Sequence, residues 1–291
     1  MVGEKCADFG ERSIELTIPL THDGTKVKDF LRNHLKLSST MVKRVKFGGI
    51  KLNGNVVNVL AVLKAGDHLT IEFPDENSEG IEPIAAPLTI VYEDDHLLVL
   101  DKPENMPVHP SKGNHLVTLA NAVMAYMGRG FVFRAVNRLD RDTSGLVIVA
   151  KNQFSASRMS EDMKAGRFEK RYVALLASVP KEKCWTIDEP IEREAPGNIK
   201  RVVRQDGKRA ITEYCVTKEY ADGTALCEIR LLTGRTHQIR VHMAHIGSPL
   251  FADFLYGVPV PGEKYFLRCV NIRFPHPVTA EILDFNISVE H

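Results

Sequence analysis

The sequence predicts an α+β protein of two domains, and three observations support this. The chain has 291 residues, well above the roughly 150 residues of a typical domain. The stretch from Pro74 to Pro87 mixes acidic residues with proline, glycine and serine, as linkers do. Beyond it, strand patterns outnumber helical ones without regular alternation, which favours a large mixed or antiparallel sheet over a doubly wound one. We expect domains at residues 1–80, ordered over about 12–73, and at 81–291.

Composition and charge exclude several classes of protein. The chain is 44% hydrophobic and 26% charged, with a net charge of +1, which is typical of a folded globular protein and not of a disordered one. No run of about 18 apolar residues occurs, and Met1–Lys5 lacks the pattern of a signal peptide. The five cysteines are scattered without a C-x-x-C pair. We therefore expect a cytoplasmic protein that does not enter a membrane.

Two short helices are predicted near the N-terminus. Between residues 25 and 34 apolar side chains recur with the spacing of one helix face, and Thr25 is a candidate N-cap. Ser38 or Ser39 can cap a second helix that ends before Gly48 and Gly49. Residues 26–51 contain eight lysines and arginines against a single acid. These charges are consistent with RNA binding and equally with an ordinary solvated face.

A small sheet is predicted to follow the two helices. Asn53-Gly54 lies between alternating apolar residues, which is a strong signal for a two-residue hairpin. The segment "LKAGDHLTIEF" adds a Gly-Asp turn and another strand. Two basic helices followed by a short sheet, with "LNG" at residues 52–54 and "AGDHL" at 65–69, resemble the S4-like RNA-binding domain. The resemblance implies that Lys43, Arg44 and Lys46 contact RNA.

The second domain is predicted to be mainly strands. Six segments have strand composition: "LTIVYEDDHLLVLDKP", "FVFRAV", "GLVIVAKN", "RYVALLAS", "ITEYCVTKEY" and "ALCEIRLL". Helical patterns occur around residues 117–128, 153–166 and 236–246. A basic segment at 193–214, which includes Lys200 and Arg201, is suited to following an RNA backbone, although a merely solvated loop is the alternative.

A charged loop at residues 137–145 separates two apolar runs. Its aspartate, Asp140, taken alone is most simply an exposed turn residue or a partner of Arg138 or Arg141. Similarly, Tyr172 in "RYVALL" would ordinarily be a core aromatic, and Arg138 could pair with Asp142. A chemical role for these residues is supported only when the other motifs of the sequence are considered together with them.

Four ordered motifs resemble the RluA-type pseudouridine synthases, which isomerise uridine in RNA. The segment "NRLDRDTSGL" at 137–146 is similar to the family signature "HRLDxxTSGL", and "KPENMPVHPSKGN" at 102–114 to "KPxGxxVHP". The segment "FEKRYVALL" at 168–176 contains the "KxYxAL" element, and residues 231–257 match "xTGRxHQIRxHxxxxGxPxxGDxxYG". The resemblance covers roughly residues 85–285, and it implies the pseudouridine synthase fold with a central cleft across its sheet.

The resemblance implies specific roles. Asp140 is the catalytic carboxylate, Tyr172 lies against the uracil ring, and Arg235 holds Asp140 ionised, because a nearby guanidinium lowers a carboxylate pKa. In this family a tyrosine at this position is also proposed to remove the C5 proton. Arg138 corresponds to the arginine that fills the space left by the flipped uridine. Further RNA contacts are expected from Asn137, Arg141, Thr143, His109, His237 and Gln238.

Three positions depart from the family pattern. Asn137 replaces the usual histidine, Asn105 replaces a common glycine, and Ala252 stands where a glycine precedes the aspartate. An asparagine can still donate and accept hydrogen bonds, so a positioning role survives the first change, whereas a proton-transfer role does not.

The expected activity needs neither a redox cofactor nor a metal. The reaction breaks the N1–C1′ bond and rejoins uracil through C5, so no electron is transferred. His242 and His245 share a helix face, but no Asp, Glu or Cys completes a zinc site at the right spacing. We expect a monomeric enzyme acting on RNA, with large-subunit ribosomal RNA favoured because S4 modules accompany such enzymes. Two alternatives remain open: a non-catalytic RNA-binding or ribosome-assembly factor, and a glycoside hydrolase, which would need a second carboxylate at a set distance.

Overall fold

The fold is taken from a computed structural model that describes residues 7–9, 12–76, 80–111, 117–128 and 130–289. Residues 1–5, which lack a signal-peptide pattern, and residues 112–114 of the "KPENMPVHPSKGN" motif lie outside the described residues. Within the described ranges, no helix combines the length and the apolar character needed to cross a membrane.

The N-terminal module is a sheet covered by two short helices. In the described residues its five strands are ordered β1-β2-β5-β3-β4. Helix α1 continues into a π-helical turn at Phe30–His34. The strands and helices are β1 (Ala7–Phe9), β2 (Ser13–Thr17), α1 (Val27–Asp29), α2 (Ser39–Val45), β3 (Ile50–Leu52), β4 (Asn55–Val56) and β5 (His68–Glu72).

Most local predictions for this module are confirmed. The Ser38 side chain accepts a hydrogen bond from the Met41 amide at 3.1 Å, as expected of an N-cap. Asn53 and Gly54 have φ values of 50° and 81°, which a two-residue hairpin of the primed type requires. The N-cap prediction at Thr25 is wrong, because Lys26 occupies that position and makes no side-chain cap bond.

The second domain contains the large mixed sheet that was predicted, and the α+β fold class is confirmed. Nine strands of the described residues form it in the order β10-β13-β14-β9-β15-β8-β7-β6, with β16 paired to β15. Strands β8 and β15 run parallel. The strands are β6 (Thr89–Glu93), β7 (Leu97–Lys102), β8 (Ser144–Ala150), β9 (Glu169–Leu176), β10 (Cys184–Asp188), β13 (Ile211–Glu219), β14 (Ala225–Leu231), β15 (Leu267–Pro275) and β16 (Ile282–Asn286).

Three helices and a separate hairpin complete this domain. The helices are α3 (Leu119–Met127), α4 (Gln153–Lys164) and α5 (Gln238–His245), and they confirm the three predicted helical stretches. Strands β11 (Ile191–Arg193) and β12 (Arg201–Val203) form a separate two-stranded sheet, and Ile191 also makes a bridge to Lys208. The basic segment is therefore partly a hairpin.

The strand predicted at "FVFRAV" is wrong. This segment lies beside β8 but makes only one bridge, between Ala135 and Val149. The Val136 amide donates a hydrogen bond to the Ile148 carbonyl at 2.8 Å. The Ile148 amide, however, donates to the Asn137 side chain at 2.8 Å and not to a backbone carbonyl of this segment. A side chain thus replaces the backbone partner, and the chain leaves the sheet.

Two large hydrophobic cores hold the fold together, and a third cluster is small, with Ile191, Ala210 and Val241. The larger core lies on the mixed sheet, and the smaller one lies in the N-terminal module. Phe154 of α4 is 2% exposed and belongs to the smaller core. Ser157 of the same helix accepts a hydrogen bond from the Ser38 amide at 2.9 Å. Because α4 completes the core of the N-terminal module, this module is packed onto the catalytic domain.

A disulfide joins Cys184 on β10 to Cys215 on β13. The two residues are direct partners in the antiparallel register. Their separation of 31 residues carries no pairing signal in the sequence. Cys227 and Cys269 are free and buried.

Candidate active site

The loop that carries Asp140 is fastened to β8 by Asn137. The Asn137 amide nitrogen donates to the Leu146 carbonyl at 3.0 Å, and its oxygen accepts from the Ile148 amide at 2.8 Å. Asn137 is buried, with both groups of its side chain used. The expectation that Asn137 contacts RNA is therefore corrected to a positioning role.

Gly145 lets the same loop approach β15 closely. Its φ is +107°, and a Cβ atom there would lie 2.2 Å from the Cys269 carbonyl oxygen. Any side chain would collide with the backbone of β15, so packing requires the glycine of the motif. This approach brings Asp140, Tyr172 and Cys269 to the same part of the sheet.

Asp140 lies in a cleft of about 630 Å³. Its side chain is 30% exposed, and its Oδ2 lies 3.9 Å from Nε2 of His237. His237 adopts a left-handed backbone conformation, and its Nδ1 lies 2.8 Å from the Tyr256 hydroxyl. Burial lowers the pKa of His237 and outweighs the opposing effect of Asp140. His237 is thus neutral at pH 7, and the Asp140 carboxylate is open to a ligand.

The expected ion pair between Asp140 and Arg235 is not formed. Arg235 lines the cleft but is exposed, and its Nε donates to the Arg209 carbonyl at 2.9 Å. No ion pair between Arg235 and a carboxylate occurs among the described residues. The loop between β14 and α5 directs Arg235 along the cleft edge, a direction that residue type alone does not reveal.

A buried guanidinium that sequence reasoning missed also lines the cleft. Arg240 binds Asp253 through two hydrogen bonds of 2.7 Å, and the two side chains are 4% and 0% exposed. Its guanidinium lies 4.4 Å from the ring centre of Tyr265 and 5.0 Å from that of Tyr256. Although burial acts to lower its pKa, the bonds to Asp253 and the charge of Asp140 raise it. The arginine of "HQIR" was the available signal.

Tyr172 forms part of the cleft wall. It is 5% exposed and faces Cys269 in the register of β9 and β15. Burial raises its pKa well above the usual value, and the nearby Cys269 and Asp140 add to this. The phenol is therefore neutral over the physiological range, and the side chain lines the cleft.

Gln238 and His242 have structural hydrogen bonds instead of free polar groups. The Gln238 oxygen accepts from the Thr233 hydroxyl and the Arg235 amide, and its nitrogen donates to the Ile211 carbonyl and Thr212 hydroxyl. The expectation that Gln238 contacts RNA is corrected, because its donors and acceptors are already engaged. Both ring nitrogens of His242 lie 2.9 Å from a partner, the Thr212 hydroxyl and the Glu189 carbonyl.

The other residues of the aspartate motif differ in whether they line the cleft. Arg138 is exposed, lines the cleft and makes no ion pair with any described residue. The alternative pairing of Arg138 with Asp142 is wrong, because Asp142 binds Arg141 through two bonds of 2.9 and 2.8 Å. Arg141 is therefore tied within its own loop and does not line the cleft. Thr143 is buried in the cleft wall.

His109 and the hairpin supply the remaining predicted contacts on this side. His109 lines the cleft, where its ring packs against Phe133 at 4.9 Å between centres. Lys200 pairs with Glu194 at 3.3 Å. Arg201 lines a second pocket of about 200 Å³ beside the cleft, and its buried Nε has no partner among the described residues.

The basic residues of the N-terminal module differ in whether their charge is paired within the protein. Lys43 and Lys46 are exposed, and Lys46 lies 4.3 Å from the ring centre of Phe47, which is 81% exposed. Arg44 instead pairs with Glu76, which also binds Arg134 of the catalytic domain. Arg44 is exposed and stays a predicted RNA contact, and its charge also joins the linker to the second domain.

Known proteins are similar to this chain in sequence and in fold. Residues 96–245 match the RNA pseudouridylate synthase family. The chain belongs to this family, as an RluA-type member. It is 38% identical over 267 residues to the uncharacterized RNA pseudouridine synthase YjbO of Bacillus subtilis, covering 89% of this chain and 94% of that one. It is 35% identical over 264 residues to the ribosomal large subunit pseudouridine synthase D of Xanthomonas campestris, covering 84% and 78%.

A solved structure supports the same assignment. The chain superimposes on human RNA pseudouridylate synthase domain containing 1 with a TM-score of 0.60 and 28% identity. The match covers 71% of this chain and 86% of the human one. The chain is therefore an RNA pseudouridine synthase, an isomerase of uridine in RNA.

Proposed function

We propose that this synthase converts a uridine of large-subunit ribosomal RNA to pseudouridine, with Asp140 as the reacting carboxylate. The observation that carries the proposal is the Asp140 side chain, 30% exposed in the cleft and without an ion pair to a guanidinium among the described residues. A ribose can approach such a carboxylate. The relatives in Xanthomonas campestris and Pasteurella multocida, named for the large ribosomal subunit, support the choice of RNA.

The reaction needs Asp140 to act beside the sugar. When the N1–C1′ bond breaks, its electron pair remains on the uracil, and Asp140 either attacks C1′ or removes a proton from C2′. C5 of the rotated base then bonds to C1′ as the Asp140–C1′ bond breaks or the proton returns to C2′, and the C5 proton leaves while N1 takes up a proton. The buried pair of Arg240 and Asp253 gives the cleft a fixed cation whose position cannot change between these steps. Arg235 remains a predicted catalytic residue at the cleft edge.

Arg138 and Tyr172 would hold the flipped nucleotide. Arg138 has no carboxylate partner among the described residues, so its guanidinium is available to enter the stack that the uridine leaves. Tyr172 is buried and neutral, so it offers the uracil an apolar face, and base stacking of this kind contributes about 1–3 kcal/mol. The raised pKa of Tyr172 favours stacking over removal of the C5 proton by a phenolate.

The N-terminal module would hold RNA at a distance from the cleft. Lys43 and Lys46 are exposed, and Phe47 beside them can stack on an unpaired base. We also propose that the enzyme acts as a monomer in the cytoplasm, where ribosomal RNA is accessible during assembly.

The first experiment identifies the target and tests Asp140. Pseudouridines are mapped in total RNA from cells with and without the gene, and one or more sites in large-subunit ribosomal RNA should disappear. Asp140→Asn should fail to restore them while binding the same RNA. Asp206→Asn, which changes an exposed carboxylate in the turn after β12, should restore them fully. Loss of sites only in transfer RNA would refute the proposed target, and turnover by Asp140→Asn would refute the proposed site.

The second experiment tests the N-terminal module without removing it. Truncation at residue 80 would expose Phe154, which is buried in the smaller core, so it would confuse folding with binding. Lys43→Glu combined with Lys46→Glu should instead weaken RNA binding and flatten its salt dependence. The matched control is Lys181→Glu, an exposed lysine of the catalytic domain. An unchanged salt slope in the double variant would contradict a role of this face in RNA binding.

A further inference from the structure

Lys170 is a lysine of the cleft for which the fold supplies no partner. It precedes Tyr172 by two residues on β9, so both side chains leave the same face of the sheet. Both line the cleft, and Lys170 is half-buried. Its Nζ makes no hydrogen bond or ion pair with any residue that the structure describes. The ammonium therefore faces the cavity with its donors unused.

Another lysine, Lys102, is fully buried and shows what a structural lysine looks like in this fold. Lys102 is 0% exposed, and its Nζ donates to the carbonyls of Pro103, Met106 and Arg141 at 2.7, 2.8 and 3.0 Å. Three carbonyls satisfy its three donors and tie the Asp140 loop to the "KPENMPVHP" segment. Burial lowers the pKa of Lys102 to about 8, but its hydrogen bonds are complete. Lys170 has no such arrangement.

The surroundings of Lys170 make an unpaired ammonium group energetically unfavourable unless a ligand accepts a hydrogen bond from it. Burial lowers the pKa of Lys170, and Cys269, the group that opposes this effect, is a thiol whose own pKa burial raises to about 12. A desolvated cation without hydrogen bonds destabilises a fold. Gly234 leaves the approach open, because even an added Cβ there would lie 3.7 Å from Nζ. The position is therefore suited to an electron-rich ligand atom that enters the cleft.

We propose that Lys170 is a catalytic residue that donates a hydrogen bond to a carbonyl oxygen of the uracil while the detached base carries negative charge. The inference rests on the proposed binding of the target uridine between Asp140 and Tyr172. Because Lys170 and Tyr172 share one face of β9, a base lying on the Tyr172 ring has Lys170 near its edge.

The chemistry explains why a cation is useful at this edge. Rupture of the N1–C1′ bond leaves its electron pair on the uracil, where the charge spreads onto the two carbonyl oxygens. Lys170 donates a hydrogen bond to one of them and keeps its proton. When C5 bonds to C1′ the charge disappears, and the C5 proton then leaves to water or a base while N1 takes up a proton. A donor aimed at developing charge in a site shielded from water typically changes kcat by about 10²–10³-fold.

The test compares Lys170→Met with the wild-type protein in single-turnover reactions on transcribed large-subunit ribosomal RNA. We expect the rate of pseudouridine formation to fall by about 10²–10³-fold, with unchanged affinity for RNA. Lys170→Arg should retain part of the rate, because it keeps a charged donor. The matched control is Lys181→Met, which changes an exposed lysine away from the cleft.

A second substrate separates a catalytic role from a structural one. The same RNA is transcribed with 5-fluorouridine, whose base is a better leaving group because fluorine withdraws electrons. Loss of the fluorinated nucleoside is followed by mass spectrometry. The deficit of Lys170→Met should be smaller with this RNA, because the departing base needs less stabilisation.

Equal deficits on both RNAs, or a wild-type rate for Lys170→Met, would overturn the role of Lys170. If thermal unfolding shows that Lys170→Met does not fold, Lys170→Gln takes its place with the same expected comparison. Asp140→Asn is measured in parallel. Activity of Asp140→Asn would refute the proposed site as a whole, whereas full activity of Lys170→Met beside an inactive Asp140→Asn refutes only the present inference.

Discussion

The cleft contains two groups of polar side chains that differ in whether the protein itself satisfies them. Asn137, Gln238 and the pair of Arg240 and Asp253 are buried, with hydrogen bonds to backbone or to each other; we call them the supporting residues. Within the described part of the chain, Asp140, Arg138 and Lys170 lack such partners, apart from the distant His237 contact of Asp140; we call them the open residues.

The difference teaches which residues serve stability and which serve the substrate. Removing a supporting residue leaves a buried group without its partner, which is costly to the fold. Removing an open residue costs the free protein little, because nothing in the fold depends on it. The open residues should therefore affect activity far more than stability, and the supporting residues should affect both.

The largest expected effect on stability belongs to Asp253→Asn. This change leaves the Arg240 guanidinium, 4% exposed, as an uncompensated buried charge, so we expect the free energy of unfolding to fall by about 3–5 kcal/mol. Chemical denaturation followed by circular dichroism measures it. Asp188→Asn, which removes an exposed partner of Arg209, should leave the unfolding midpoint in place; similar losses in both variants would remove the distinction between buried and open charges.

The next largest effect is expected for Asn137→Ala. The change leaves the Ile148 amide and the Leu146 carbonyl without their partner, which lowers the free energy of unfolding by about 1–3 kcal/mol. Because the Asp140 loop is then released from β8, kcat should fall while the affinity for RNA changes little. Asn198→Ala, in the exposed turn of the hairpin, is the control. A change in affinity with an unchanged kcat would show that Asn137 contacts RNA after all.

A smaller effect on stability should appear as pH dependence through His242. Burial lowers the pKa of His242 from 6.5 in the folded protein, so below pH 6.5 the unfolded chain binds the additional proton. The stabilisation by neutral His242 is complete above that pH and is lost as the pH falls through the lowered folded pKa. His242→Gln should therefore show a shallower decrease of unfolding free energy with acidification, by at most about 1.4 kcal/mol per pH unit. Parallel pH curves for the two proteins would argue against a neutral buried imidazole.

The smallest effect on stability is expected for Arg138→Ala, together with a clear effect on RNA. Since Arg138 makes no ion pair among the described residues, the free energy of unfolding should change by less than about 0.5 kcal/mol. Binding to RNA should weaken, and the salt dependence should lose about one unit of slope if the guanidinium meets a phosphate. An unfolding midpoint that drops as far as that of Asn137→Ala would place Arg138 among the supporting residues.

Local signals in the sequence predicted much of the fold. The three helices of the catalytic domain, the Ser38 cap and the Asn53-Gly54 hairpin follow from periodicity and backbone preference over a few residues, and all are found. The segment "FVFRAV" was misread because its ladder partner is taken by a side chain from the next residues. Strand composition indicates a preference for strand structure. Here the Asn137 side chain takes the Ile148 amide that a paired strand would need.

The sequence predicted which residues form the site, but it predicted their hydrogen bonds and ion pairs less well. The four motifs do meet around Asp140, yet the expected bond from Arg235 is absent, and Arg240 and Lys170 were overlooked. Residue type shows which hydrogen bonds a side chain is able to make, whereas the fold decides which of them are already used.

By itself, the sequence determined the α+β class, the family and the position of the aspartate, because these follow from short motifs and from apolar periodicity. Only the tertiary structure decided that Asn137, Gln238 and Arg44 are engaged within the protein and that Arg138 and Lys170 face the cleft without partners. The physical reason is that the hydrogen-bond partners of these polar groups are distant in sequence, and only folding brings them within hydrogen-bond distance.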